Sequence, residues 1–374
     1  MNIRFLRAPA AALLLATAAS GAQYLVYAGT YTSGSSHGIY GYRFDTRGAR
    51  LKPLGLMAET SNPSFLVVHP DHRFLYAVNE DAGNSVSAFL IDPKSGRLSL
   101  VNKAASKGAG PCHLALDRGG RWLAVANCTS GGVSVLPLRK DGGLGEAQTL
   151  ALPRGVGADP PRPAAPHANG LLFSPDNRFL LVADAGADKV LVYAFDAQTG
   201  SLRPADPPSA QVAPGSGVRR LAFHPNGKVV YALGGKSSRV TAFRYDPATG
   251  ALAEFQTVST LPTSHNGPAA AAEMAVNAAG TMVYASNRGH ESMALLVVDP
   301  LRFTLSALEF TPLIGRTPRH FAIDPTGGFL IVANQDADSI TVYSVHPRSG
   351  QLRPVGRPTP NIDQPACVVF VPVE

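Results

Sequence analysis

Seven basic side chains recur at matching points of a repeated pattern in this 374-residue chain: Arg219, Arg220, Arg288 and Arg319, with His113, His167 and His320. Gathered at one place they would concentrate more positive charge than a fold needs, because clustered cations repel. A small anion carrying phosphate or carboxylate is the natural partner, since guanidinium forks match such groups. Imidazole titrates near neutrality, which makes His167 the candidate general base. Glu273 could orient His167 or activate a water, and Arg219 and Arg288 could stabilise an oxyanion. Asn169, Arg220, Arg319, His320, His113, Asn79 and Glu80 are candidate substrate-binding residues around them. Nucleic acid is a weak candidate partner, because the basic residues are not interleaved with exposed aromatics in stripes. No CxxC, HExxH or Cys/His cluster has metal-ligand spacing, so a structural or catalytic zinc is not expected.

The elements that must position these residues come from a repeat of about 50 residues. NPSFLVVHPDHRFLYAVNEDAGNSVSAFLIDP (62–93) and TPRHFAIDPTGGFLIVANQDADSITVYSVHP (317–347) show the unit most fully. Equivalent starting positions are Pro63, Pro111, Pro166, Val218, Ala271, Pro318 and Pro365, spaced by 48, 55, 52, 53, 47 and 47 residues. Each unit holds short apolar, β-branched runs separated by Pro-Asp-x-Arg or Pro-x-Gly turns, with period-2 alternation as in Val190 to Phe195. Four strands per unit make an all-β, seven-bladed propeller of antiparallel blades. The seventh copy, QPACVVFVPVE (364–374), supplies one strand only. Residues 24–59 supply three more, so the C-terminal strand is expected innermost in a blade completed by the N-terminal strands. In such a ring the first strand of each blade lines the channel. Its entry, and the loop joining strands two and three, open on one face. The basic residues therefore meet at one mouth, in a ring just after the starting positions and a second ring at the ends of the second strands. The Asn and Asp of the second ring can equally cap strands or bridge blades.

Composition agrees with this architecture. The 37 glycines and 31 prolines are about 18% of the chain, against roughly 12% in an average protein, which argues against helical bundles. With 45% hydrophobic and 16% charged residues the chain is too apolar for disorder. Arg4 and Arg7 precede an apolar stretch from Ala8 to Ala19, followed by Ser20-Gly21-Ala22. That reads as a signal peptide over 1–22 cleaved after Ala22, and residues 23–374 then form a single propeller domain. Removing it lowers the formal net charge from +7 to +5 and leaves an exported, periplasmic or secreted product with no stable membrane insertion. A monomer is expected. Of the three cysteines, Cys112 and Cys128 could face each other across a hairpin; buried free thiols are the other reading.

The segments YAGTYTSGSSHGIYGYRFD, NPSFLVVHPDHRFLYAVNE, YASNRGHES and PRHFAIDPTGGFLIVANQD resemble the seven-bladed lactonase family of bacterial 6-phosphogluconolactonases. That family is itself similar to the fungal carboxy-cis,cis-muconate lactonizing enzyme. The resemblance covers about 24–374 and implies hydrolysis of a sugar-acid lactone, a small anionic substrate, with no metal or organic cofactor. It assigns a place in the site to Arg162, His167, Arg219, Arg288 and Arg319, with Asn169 standing where the family has a second His. Where the family commonly carries Asn-Glu this chain has Gly234-Gly235, so a carboxylate proposed to act in the muconate enzyme would have to come from Glu273 or Glu80. Two further readings follow from the same residues: an exported propeller that binds an anion or a protein without turnover, and a muconate-type cycloisomerase.

Overall fold

Runs of Val, Ile, Leu, Ala and Tyr too short for helices and bounded by Gly, Pro and Asp turns leave the backbone one way to satisfy its hydrogen bonds, which is to pair with the next run. A computed structural model of the chain describes residues 21–152, 155–156 and 163–373, and in it the repeats form seven four-stranded antiparallel sheets. We number the blades by their inner strands: Leu66–Val68, Pro111–Leu116, Ala168–Phe173, Val218–Phe223, Ala270–Val276, Pro318–Ile323 and Pro365–Pro372 for blades 1 to 7. The ring closes as the sequence implies. In blade 7 the sheet order is Arg50–Glu59, Gly38–Asp45, Gln23–Thr30, Pro365–Pro372. A two-stranded ribbon, Gly155–Val156 with Pro163–Ala164, is added between blades 2 and 3.

Burial follows position within the blade. Second strands such as Phe74–Asn79, Trp122–Asn127 and Val229–Gly234 are buried at every residue, because neighbouring blades cover both faces of the sheet. Outer strands such as Leu98–Ala105 are largely exposed after the first residue. The second strands also tie blades together. The phenols of Tyr27, Tyr76, Tyr231 and Tyr284 donate to Gly96 O, Gly142 O, Phe303 O and Gly350 O of the following blade, at 2.8 to 3.0 Å. Trp122 Nε1 does the same to Ala197 O at 3.0 Å. Each aromatic thus buries its ring and still satisfies its polar end. Gly200, at φ +74°, shows why such turns need glycine: a Cβ there would stand 2.3 Å from Trp122 Cζ3.

Asn79, Asn127, Asn287 and Asn334, at the ends of second strands, are buried and act as struts. Asn79 Nδ2 donates to Thr60 Oγ1 and Ser61 O, and Asn287 Nδ2 to Thr260 O. The cysteine alternatives resolve as a Cys112–Cys128 disulfide with Cα atoms 6.0 Å apart, while Cys367 is free and buried. Among the described residues no helix is long and apolar enough to cross a membrane.

Candidate active site

The mouth is built from a backbone irregularity repeated around the ring. In blade 4 Val218 pairs with Gly234 and Arg220 with Leu233, so Arg219 is an extra residue in the inner strand. The same β-bulge makes Cys112, Asn169, Arg319 and Ala366 the extra residues of blades 2, 3, 6 and 7. In blade 5 Ala272 and Glu273 together oppose Ser286. A bulge kinks the strand and re-aims its side chains, which is how neighbours in sequence reach different surroundings.

One such surrounding is the throat of the channel. Arg220 Nε donates to Glu273 Oε2 at 2.8 Å, and its Nη1 donates to Asn169 O and Arg219 O at 3.1 Å. Its guanidinium also lies 5.3 Å from the Phe65 ring centroid. His113 stacks on Phe65 with centroids 4.1 Å apart, and His320 Nε2 stands 3.6 Å from Glu273 Oε2. Arg220, Glu273, His113 and His320 are all less than 10% exposed. The N–H groups of Leu171 and Val368 donate to the Nδ1 atoms of His113 and His320, so each neutral ring carries its proton on Nε2. Burial pushes the His113 pKa well below the usual histidine value. It brings His320 down to about 4 despite the opposing pull of Glu273. Burial alone would raise the Glu273 pKa, but Arg220, His320 and the Met274 N–H outweigh it and hold the carboxyl below its ordinary value. Glu273 is therefore an anion committed to Arg220.

The second surrounding is a cavity of about 430 Å³ at the mouth of blades 3 to 5, lined by His167, Asn169, Arg219, Lys236 and Arg288 among others. Asp184 Oδ1 accepts the backbone N–H groups of His167, Gly186 and Ala187, which fixes the segment that carries His167. Burial, reinforced by Arg219 and Lys236 and partly opposed by Asp184, lowers the His167 pKa and keeps the imidazole neutral as a base. Arg219 Nε donates to Ala272 O at 2.8 Å. Burial and the nearby Arg220, Arg319 and Arg288 all press against the Arg219 charge. Arg288 Nε is buried with no hydrogen-bond partner among the described residues. The Gly235 position lies against Arg219: a Cβ there would be 3.2 Å from Arg219 Cβ and Cδ.

The remaining candidates sit across the mouth. Tyr31 Oη donates to Glu80 Oε2 at 2.8 Å, Ser64 Oγ donates to the same oxygen, and Arg319 both bonds to Tyr31 Oη and lies 4.9 Å from its ring centroid. Burial, with Glu80 adding to it, raises the Tyr31 pKa although Arg319 opposes, so the phenol keeps the proton it gives Glu80.

The structure thus brings His167, Asn169, Arg219 and Arg288 together, places Glu80 and Arg319 in a second cluster, and puts Arg220, Glu273, His113 and His320 in the throat. Glu273 does not line the cavity with His167. Asn79 is a buried strut, and Arg162 lies outside the described residues. Sequence reasoning missed Lys236 and Tyr31, which follow the second strands of blades 4 and 7 and would have been found by extending that ring past the strand ends. A cavity of about 470 Å³ beside Trp122 and Arg139, at the opposite end of the blades, contains none of the catalytic candidates.

Residues 25–370 match the family described as lactonase, 7-bladed beta-propeller. A 6-phosphogluconolactonase from Bacillus subtilis is 32% identical over 350 residues, covering 93% of this chain and 99% of its own. One from Formosa agariphila is 30% identical over 325 residues, 84% of this chain and 90% of its own. Among solved structures, the periplasmic gluconolactonase of Pseudomonas aeruginosa superposes with a TM-score of 0.88 at 34% identity, over 94% of this chain and all of that one.

Proposed function

The chain belongs to the seven-bladed β-propeller lactonase family, and from that premise we propose that it hydrolyses a sugar-acid lactone in the cavity at the mouth of blades 3 to 5. The observation that carries this reading is a histidine kept neutral beside two arginines, in a cavity whose described lining residues include no carboxylate. His167 takes a proton from water as the water attacks the lactone carbonyl. Arg219 and Arg288 stabilise the tetrahedral oxyanion, and the proton returns from His167 to the leaving ring oxygen. Asn169 would orient the sugar hydroxyls, a role we assign to Arg162 as well on the family resemblance alone. No step calls for a metal or organic cofactor.

The protein acts on this reading as an exported monomer, released by cleavage after Ala22. The Cys112–Cys128 disulfide supports an oxidising compartment, and the Pseudomonas relative is described as periplasmic. The test is pH-stat hydrolysis of gluconolactone and 6-phosphogluconolactone by wild type and His167→Ala. A loss of about 10²-fold or more in kcat/KM supports the assignment; equal rates for the two proteins sink it. Anion binding without turnover is the second reading, favoured by Gly234-Gly235 standing where the family commonly carries Asn-Glu. It predicts saturable calorimetric binding of gluconate with no lactone consumed.

A further inference from the structure

The charge of the cavity is larger than the proposed reaction requires. Arg219, Lys236 and Arg288 line it, and among the described residues no Asp or Glu does. Opening a neutral lactone develops one negative charge, on the former carbonyl oxygen, and an arginine pair with a neutral imidazole answers that charge. Elsewhere at this mouth the protein pairs its cations itself: Arg220 with Glu273, and Arg319 with the Tyr31–Glu80 pair. Within the cavity Arg288 Nε is buried and has no hydrogen-bond partner among the described residues.

Lys236 is the outermost of the three cations. It is exposed, its backbone N–H is anchored to Ser216 O at 3.0 Å, and its stem crosses Gly217, where a Cβ would lie 2.8 Å from Lys236 Cγ. Glycine at 217, at φ +57°, therefore leaves the path by which the ammonium reaches the rim. An ammonium is a point charge with three donors on a flexible stem, suited to a group whose position varies between substrates.

Resting on the lactonase reading above, we propose that Lys236 is a specificity-determining residue. It holds a fixed anionic group, phosphoryl or carboxylate, that the lactone carries away from its reacting carbonyl, while the carbonyl lies at His167, Arg219 and Arg288. Preference for charged over neutral lactones then comes from the rim and not from the reacting groups.

The experiment compares three lactones in low salt: 6-phosphogluconolactone with a phosphoryl group, a glucarolactone with a carboxylate, and neutral gluconolactone. For wild type, the ratio of kcat/KM for the better charged lactone to that for gluconolactone should be tenfold or more and should fall as salt screens the rim. Whichever charged lactone carries the preference identifies the group. Lys236→Met should lower the ratio at least tenfold, through KM, and Lys236→Arg should restore most of it. A ratio near one in wild type, or one unmoved by Lys236→Met, overturns the proposal. If wild type opens none of the three, the lactonase reading fails and Lys236 is judged by calorimetry with 6-phosphogluconate. At least tenfold weaker binding by Lys236→Met supports its role, and equal binding overturns it.

Discussion

Arg219 and Arg220 are consecutive in the chain, yet one lines an open cavity and the other is sealed in the throat. Arg220 has a carboxylate at 2.8 Å, an aromatic face and two carbonyls. Arg219 has one carbonyl and three arginines near enough to strain its charge. A cation that the protein satisfies is a piece of architecture, whereas a cation left crowded and facing a cavity is provision for something that arrives later. The two regions therefore call for opposite experiments, one reading stability and the other reading ligands.

The largest expected effect breaks the throat. Glu273→Ala strands the buried guanidinium of Arg220, and removing one partner of such a pair costs about 3–5 kcal/mol, so thermal unfolding should fall by several degrees. An unchanged melting temperature would show the pair to be dispensable and erase the distinction. Next, Arg219→Ala should leave the melting temperature within a degree or two while lowering kcat/KM for lactone opening on the order of 10²-fold. A loss of stability comparable to that of Glu273→Ala would place Arg219 in the architecture as well.

A third change makes the cavity resemble the throat. Gly235→Glu sets a carboxylate beside Arg219, and affinity for 6-phosphogluconate by calorimetry should weaken about tenfold, or about 1.4 kcal/mol. Unaltered affinity would mean that Arg219 does not face the anion. The smallest effect per step is in pH. The pKa values of His113 and His320 are lowered by folding, His320 to about 4. Between the unfolded value of about 6.5 and that point the unfolded chain binds more protons than the native one. Stability is therefore full above about pH 6.5 and is lost progressively as pH falls toward the lowered His320 value of about 4, with His113 acting in the same direction. The lowered pKa of His167 shifts the acid limb of kcat/KM below about pH 6.5. Flat stability across that window, together with an acid limb at or above 6.5, would contradict both environments.

Blade count, inner-strand starts and the shared closing blade were legible in the sequence because each rests on local patterning repeated seven times. What was not legible depends on register. Nothing in Arg219-Arg220 says which residue the bulge will aim outward, and Glu273 looked as available to His167 as to Arg220. Asn79 was ambiguous for another reason, since an amide at a strand end serves a ligand or a neighbouring loop equally well, and here it serves Thr60 and Ser61. The cysteine pair becomes intelligible only through the same bulge: Cys112 is the extra residue of blade 2, and Cys128 is the residue one past that blade's second strand. In blade 4 the corresponding places hold Arg219 and Gly235, so a covalent link in one blade marks the approach that a guanidinium and a glycine share in another.

The joint of blade 7 sets a schedule for the chain's birth. Tyr24 is registered against Pro372, so a strand from the N-terminal side of the propeller waits for one from its C-terminal side. Until then Gln23–Thr30 offers a bare edge to any extended chain that meets it. Bringing together ends about 350 residues apart costs only about 5 kcal/mol, because the entropy grows with the logarithm of length. The hazard is thus one of waiting and not of final stability, and a chain halted before Pro365 would keep its ring open with that edge unguarded.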